Sequence, residues 1–188
     1  MAAVGYDLYC KMLGEAVKKE KGGMVEEHFD TTIDLDIDAY LPETYVVSEE
    51  QRLDLYKRIA LIDSEEGRDE MLDELIDRFG EPSRSVQNLL FIAMLRMEAH
   101  KAFVTDIVQR PEEIVFTLFE RAAIDASGIP AVIEKNKPYV TFTADAKHPA
   151  FHYFYKKNSR IKPKDLPDLV MTFVKELQGL ALNQKSEN

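Results

Sequence analysis

Residues 88–109, NLLFIAMLRMEAHKAFVTDIVQ, contain the change from helix to strand that decides the fold class. The first part predicts a helix that starts near Ser83 or Ser85 and continues to about Phe103. Its apolar side chains surround the axis instead of forming one stripe, which predicts a central core helix. After Val104 the chain is rich in β-branched and aromatic residues, which are typical of strands.

The chain beyond this helix is predicted to consist mostly of strands. Four segments carry β-branched and aromatic residues and are bounded by Pro, Gly, Asn or Asp: residues 104–109, 113–119, 139–143 and 150–155. A short helix is predicted at residues 129–135, between the second and third of these strands. A longer helix is predicted at residues 163–179, because Leu, Val and Phe recur there at helical spacing.

Two further helices are predicted before the central one. Ser48-Glu49-Glu50-Gln51 is a capping box, in which the serine oxygen and the glutamine side chain satisfy backbone N–H groups at a helix start. It predicts a helix over residues 49–61. A second helix is predicted over residues 66–79, ending at Gly80 as a left-handed cap residue.

Helices and strands are thus segregated along the chain, which predicts an α+β fold. We expect a helical cluster, made of three central helices plus a C-terminal helix, packed on a small and mostly antiparallel sheet. Residues 24–182 are predicted to form this single domain. Residues 6–19 show helical spacing of apolar side chains, so a separate helix is expected within residues 1–23. The polar residues 183–188 are expected to be a disordered tail.

The composition limits the classes of partner. The chain has 188 residues, 45% of them hydrophobic, with a formal net charge of −10 and a pI near 4.9. No direct contact with nucleic acid is expected of such an acidic chain, because that binding depends on Lys and Arg neutralising phosphates. No membrane span is expected either, because the longest apolar run, residues 89–95, is far shorter than the roughly 20 residues required.

The cysteine content and the N-terminus predict a cytoplasmic protein. Cys10 is the only cysteine, so no internal disulfide is possible, which fits a reducing compartment. The first ten residues, MAAVGYDLYC, lack a basic segment followed by an apolar stretch and a cleavage site. No secretory signal is therefore predicted.

Residues 33–40, IDLDIDAY, place three aspartates two residues apart, as a calcium-binding EF-hand loop does at its first ligand positions. Ala39 and Tyr45 stand where that loop needs a glycine and a glutamate. The strict alternation instead predicts a half-buried strand. Its solvent face would carry three carboxylates: Asp34, Asp36 and Asp38.

No catalytic, metal or cofactor site is predicted. The glycines form no phosphate-binding loop of the G-x-x-x-x-G-K-[ST] type. His148 and His152 have a zinc-like spacing, but Pro149 and an extended segment would keep them apart, and no third ligand is in view. Because 34 acidic residues offer many pairs, a metal-dependent hydrolase with clustered carboxylates is the alternative function. A DNA-mimicking acidic protein is a third possibility.

The exposed side of the predicted 66–79 helix is a candidate interaction surface. Glu74, Asp77 and Arg78 stand at positions i, i+3 and i+4, so they share one face of the helix. The simplest interpretation is a solvated helix face. The functional alternative is an electrostatic docking patch whose carboxylates meet arginines of a partner and set specificity more than affinity.

Five stretches together resemble the C-terminal region of the bacterial transcription-repair coupling factor family, also called Mfd. In chain order they are VGYDLYCKMLGEAV (4–17), IDAYLPETYV (37–46), QRLDLYKRIA (51–60), ELIDRFGEP (74–82) and NLLFIAMLRMEA (88–99). Beyond Val104 only the order of strands and the final helix is similar, so the resemblance assigns no role to that region.

The resemblance implies a function. Members of this family are DNA translocases that remove stalled RNA polymerase and recruit the repair protein UvrA through an N-terminal module similar to UvrB. The helix within residues 1–23 would be the end of the translocase region. The C-terminal domain that follows would be non-catalytic, dock on the UvrB-like module of its own chain, mask the UvrA-binding surface and repress the translocase. The family's contact residues for this docking correspond to Glu74, Asp77 and Arg78.

Overall fold

The structure of the protein is a computed structural model that describes residues 29–182. Within these residues the chain forms two compact units: Asp36–Met97 is the first, and Phe29–Leu35 with residues 98–182 is the second. The helix predicted within residues 1–23 and the tail predicted at residues 183–188 lie outside the described residues. The domain boundaries at residues 24 and 182 stay predictions.

Three helices account for the regular structure of the first unit: α1 (Glu49–Ala60), α2 (Glu65–Phe79) and α3 (Arg84–Lys101), the last of which continues beyond it. Ser48 caps α1 as predicted, because its hydroxyl accepts a hydrogen bond from the Gln51 backbone N–H at 3.4 Å. The second contact of the predicted capping box is wrong, because the Gln51 side chain makes no hydrogen bond back to Ser48 within the described residues. Ser64 caps α2 in the same way, accepting from the Gly67 N–H at 3.1 Å. All three helices begin and end within two residues of their predicted bounds.

Helix α3 is buried around most of its circumference, as predicted for a core helix. Buried side chains lie on several sides of the axis, among them Val86, Leu89, Leu90, Ile92, Ala93 and Leu95. The loop before α1 is tied to that helix, since the Leu41 N–H donates to the Tyr56 hydroxyl at 2.8 Å. Arg52 Nη1 donates to the Val46 carbonyl at 2.7 Å. The first unit is therefore a helical cluster with an anchored entry loop.

The second unit is built on a five-stranded sheet of β1 (Thr32–Asp34), β2 (Val104–Gln109), β3 (Ile114–Leu118), β4 (Val140–Thr143) and β5 (Ala150–Tyr153). The spatial order is β1-β2-β3-β5-β4. Only β1 and β2 run parallel, and the other three pairs are antiparallel. Two helices complete the unit, α4 (Ile129–Lys135) and α5 (Leu166–Gln178). The predicted α+β class and mostly antiparallel sheet are confirmed.

Phe173 of α5 is the centre of the aromatic core in the second unit. Its ring meets those of Phe116 on β3 and Phe151 on β5 edge to face, at centroid distances of 4.9 and 5.9 Å. Tyr153 makes a third contact of this kind at 5.3 Å. Because successive side chains of a strand point to opposite faces, Phe116, Phe151 and Tyr153 belong to the face that Phe173 contacts. The amphipathic α5 therefore covers that face of the sheet.

The acidic strand predicted at residues 33–40 is shorter in the structure. Strand β1 ends at Asp34, after three residues of pairing with β2. The predicted alternation of burial persists past this end, because Ile33 is buried and Leu35 and Ile37 are half-buried. The aspartates between and beyond them are exposed. Period 2 therefore predicted which side chains are exposed, but it could not show where pairing with a distant strand stops.

Gly80 ends α2 with a backbone conformation that differs from the predicted left-handed cap. Its φ is +83° as expected, but its ψ is −170°, so the chain leaves the helix in an extended direction. The Tyr45 hydroxyl donates to the Gly80 carbonyl at 2.7 Å and holds this exit. This combination of φ and ψ is essentially restricted to glycine.

Replacing Gly80 by alanine is expected to lower the free energy of unfolding by about 1–2 kcal/mol, because a Cβ strains a residue with positive φ. Apart from Gly80 and its two chain neighbours, no residue in the described part of the chain has an atom within 4 Å of the added Cβ, so the cost comes from the backbone alone. Asparagine, which tolerates the left-handed helical region, should not rescue the loss at this ψ. Urea unfolding measures both variants, and a fully stable alanine variant would contradict the prediction.

Candidate protein-interaction site

The three predicted site residues lie on the solvent side of the last turn and a half of α2. The opposite side of the helix buries Met71 and Leu75. Asp77 and Arg78 are exposed, whereas the Glu74 side chain is 26% exposed. The i, i+3, i+4 spacing thus placed the three side chains together, as predicted.

Glu74 is held by two arginines. Arg58 from the last turn of α1 donates to both carboxylate oxygens, with Nη1 at 2.8 Å from Oε1 and Nη2 on Oε2. Arg78, which is in the same helix as Glu74, donates from Nη1 to Oε1 at 2.5 Å. Asp54 lies 3.9 Å from Arg58 and extends the network. This two-point contact between guanidinium and carboxylate fixes geometry as well as charge.

The ion pairs shift the acidity of the groups involved. The hydrogen bond from Arg58 lowers the pKa of Glu74 to about 2, with a smaller effect from Arg78, and together they outweigh the opposing effect of burial. The same hydrogen bond raises the pKa of Arg58. Glu74 is therefore a fixed anion across the whole physiological pH range.

Replacing Glu74 by glutamine is expected to lower the free energy of unfolding by about 1 kcal/mol near neutral pH, since these pairs are partly exposed and screened. The folded pKa of about 2 lies below the ordinary 4.5, so the contribution is complete above pH 4.5 and is lost as the pH falls towards 2. Urea unfolding of both proteins across this range measures it. A stability difference that stays constant below pH 4.5 would contradict the assignment.

Asp77 differs from Glu74 in the contacts of its carboxylate. It is exposed, and it makes no hydrogen bond or ion pair with any residue in the described range 29–182. Arg78 has spare donors, because only Nη1 is bonded to Glu74. The face therefore presents one free carboxylate and one partly free guanidinium beside a fixed ion pair.

Aromatic contacts immobilise the end of α2 beneath these charges. The Arg78 guanidinium carbon lies 4.9 Å from the centre of the Phe79 ring, which is 5.8 Å from the ring of Tyr45. The Tyr45 hydroxyl also approaches the Leu75 carbonyl at 3.2 Å. Sequence spacing within one helix could not reveal Arg58 or Tyr45, because both reach the site through tertiary contacts.

The other candidate groups do not converge. His148 is exposed, whereas His152 on β5 contacts Glu113 and Thr143, each at 3.0 Å. Within residues 29–182, no group of three or more His, Cys, Asp or Glu side chains is placed to hold a metal ion. The hydrolase alternative therefore receives no support. No helix in the described range is long and apolar enough to cross a membrane.

The fold and this helix face define an α+β domain with a preorganised charged surface. The family model of the TRCF domain matches residues 35–129, which include the whole site. The chain belongs to the TRCF domain family, and the resemblance seen in the sequence is confirmed.

Individual relatives agree with this assignment. The chain is 38% identical over 127 residues to the transcription-repair-coupling factor of Bacillus subtilis and 33% identical over 118 residues to that of Mycobacterium tuberculosis. It spans only 11% and 10% of the lengths of these relatives. Its fold is similar to a crystal structure of the C-terminal domain of transcription-repair coupling factor, with a TM-score of 0.69 at 23% identity. That match covers 83% of this chain and 96% of the solved one.

Proposed function

We propose that the chain is a non-catalytic regulatory domain of a transcription-repair coupling factor. In this proposal it docks on the UvrB-like N-terminal module of the same polypeptide and masks the surface that UvrA binds. The contact also represses the DNA translocase until the protein engages stalled RNA polymerase. The UvrB-like module is the direct partner, and UvrA and RNA polymerase are affected indirectly.

The observation that carries the proposal is the difference between the Glu74 carboxylate, which two arginines already bind, and the neighbouring charged groups, which can still bind a partner. Arg58 and Arg78 occupy the Glu74 carboxylate, so this residue positions its neighbours more than it offers a free charge. Asp77 is left to accept hydrogen bonds from a partner's arginine. The spare N–H groups of Arg78 are left to donate to a partner's carboxylate. Such a face selects a partner with complementary charges.

A contact of this kind suits a domain that must be released. Interfaces between domains of one chain are commonly polar, and linking the partners raises their effective concentration to about the millimolar range. A weak intrinsic affinity is then enough to keep the site mostly closed. A competing interaction of a few kcal/mol is enough to open it.

Calorimetric titration of this chain with the separate UvrB-like module tests the proposal. Replacing Glu74, Asp77 and Arg78 together by alanine is expected to weaken binding at least tenfold, or about 1.4 kcal/mol. Replacing Asp77 alone by asparagine should weaken binding without changing stability, because Asp77 has no partner within the described residues. Circular dichroism checks that each variant is folded.

Asp63→Ala is the matched control for the titration. Asp63 is exposed and precedes the first turn of α2, whereas Glu74, Asp77 and Arg78 lie near the end of that helix. The loss of Asp63 changes the net charge as much as the triple replacement does. It should bind like the wild type. Wild-type binding that survives the triple replacement would place the contact elsewhere on the domain. Absence of binding even when the module is linked to this chain would overturn the docking proposal.

A further inference from the structure

Residues 146–164 contain six Lys and Arg side chains and no Asp or Glu, in a chain whose net charge is −10. Five of the six lie in residues 156–164, which we term the basic segment: Lys156, Lys157, Arg160, Lys162 and Lys164. All five are exposed. None is ion-paired with a carboxylate of the residues that the structure describes.

The basic segment is anchored at its N-terminal end. Tyr155 is buried, and its hydroxyl lies within hydrogen-bond distance of two carbonyls in the β2–β3 turn, Arg110 O at 2.9 Å and Pro111 O at 3.0 Å. The Lys156 N–H donates to the carbonyl of Glu112 in the same turn at 3.4 Å. The segment therefore starts from a fixed point on the sheet.

Tight turns shape the rest of the segment. The Ile161 N–H donates to the Asn158 carbonyl at 3.0 Å, and the Asn158 side chain accepts from the Arg160 N–H at 3.2 Å. The Asp165 carboxylate accepts the Lys162 N–H at 3.1 Å and so closes the turn that leads into α5. Because these turns are internally bonded, the cations are presented by an ordered backbone, and little ordering entropy remains to be lost on binding.

Two ammonium groups rest on aromatic rings. Lys157 Nζ lies 4.0 Å from the centre of the half-buried Phe154 ring, and Lys156 Nζ lies 5.7 Å from that of Tyr155. Such contacts orient an ammonium without neutralising its charge. Both ammonium groups therefore remain available to an external anion.

We propose that the basic segment binds the phosphate backbone of nucleic acid without reading its sequence. Lysine ammonium groups are compact point charges that suit single phosphates, and counterion release supplies the driving force. The cations lie within nine consecutive residues, and the turns shorten this path below the roughly 30 Å of an extended chain. A few neighbouring phosphates match such a cluster.

The residue types favour a nucleic acid over an acidic protein. Four of the five cations are lysines, and lysine is depleted in protein interfaces, where arginine and exposed aromatic anchors are enriched. Tyr155 is buried, and Ile161 is the only apolar side chain other than Pro163 among residues 156–164. The segment offers charge without an apolar centre.

This inference uses none of the residues of the α2 face and is independent of the docking proposal. The expectation of no direct nucleic-acid contact was based on the net charge of the whole chain, which averages this segment with a strongly acidic remainder. The same acidic remainder repels phosphates, so the binding should be weak and confined to low salt. The segment also lies outside residues 35–129, the part that the family model matches.

Fluorescence anisotropy of the 188-residue chain with a short labelled DNA duplex tests the proposal. Four to five phosphate contacts predict a slope of about −4 in log affinity against log salt concentration. Replacing Lys162 and Lys164 by alanine should weaken binding about tenfold at low salt and reduce the slope by about 2. A duplex of different sequence should bind equally well.

Lys135→Ala with Lys137→Ala is the matched control, because it removes the same charge from the same unit. These two lysines are already paired, Lys135 with Glu176 at 3.3 Å and Lys137 with Glu134. The proposal requires the control to bind DNA with a nearly unchanged slope. An equal loss in both variants would mean a general charge effect and would overturn the proposal. Polyglutamate that binds more tightly than DNA does at equal charge concentration would overturn it in favour of an acidic protein partner.

Discussion

Replacing Phe173 by alanine is expected to lower the free energy of unfolding of the second unit by about 3–5 kcal/mol. Phe173 is only 2% exposed and lies at the centre of the ring cluster with Phe116, Phe151 and Tyr153. Truncation removes the transfer energy of a whole ring and leaves a cavity that rigid strands cannot fill. The edge-to-face contacts add to this loss.

Urea unfolding followed by far-ultraviolet circular dichroism measures this effect. Phe173→Leu keeps most of the volume and should cost much less, which separates cavity formation from loss of helix α5. Leu182→Ala is the control for an exposed position, because Leu182 is 54% exposed. A loss below about 1 kcal/mol for Phe173→Ala would mean that α5 does not anchor the sheet as described.

The helices of this chain could be predicted closely because their signals are local. Ser48, whose hydroxyl caps α1, stands next to the helix it starts, and Gly80 stands next to the helix it ends. The strands after Val104 could be predicted equally well, because β-branched runs are bounded there by turn residues. The order of the strands in the sheet depends on pairing between residues that are far apart in sequence, so these local signals could not predict it. Strand β1 is the clearest example, because its pairing with β2 stops at Asp34.

The candidate site was predictable only as far as one helix extends. The spacing of Glu74, Asp77 and Arg78 follows from helical geometry, but the contact from Arg58 joins two helices across sixteen residues of sequence. Because of that contact, the Glu74 carboxylate is already bound within the domain, whereas the Asp77 carboxylate can still bind a partner. The basic segment could not be recognised from the net charge, because that single value sums the charges of all 188 residues.

Replacing Gln178 by leucine is expected to lower the free energy of unfolding by about 2–4 kcal/mol, because it removes two hydrogen bonds at a buried anion. Glu98 is the only buried charged or polar residue within residues 29–182, at 7% exposure. Gln178 Nε2 donates to its carboxylate at 2.6 Å and to its backbone carbonyl at 2.9 Å. Lys101 Nζ donates to the other carboxylate oxygen at 2.9 Å, so one charged partner remains in the variant.

The pH dependence and a double replacement identify the source of this loss. Burial alone would raise the pKa of Glu98, but the hydrogen bonds from Gln178 and Lys101 outweigh it and lower the pKa below 4.5. Their contribution is therefore complete above pH 4.5 and lost as the pH falls below it. The stability difference between the wild type and Gln178→Leu should shrink in acid. Adding Glu98→Leu to Gln178→Leu should recover stability at neutral pH, because no buried charge is then left under-bonded. If the double variant is less stable than Gln178→Leu alone, the Glu98 carboxylate stabilises the unit through other contacts.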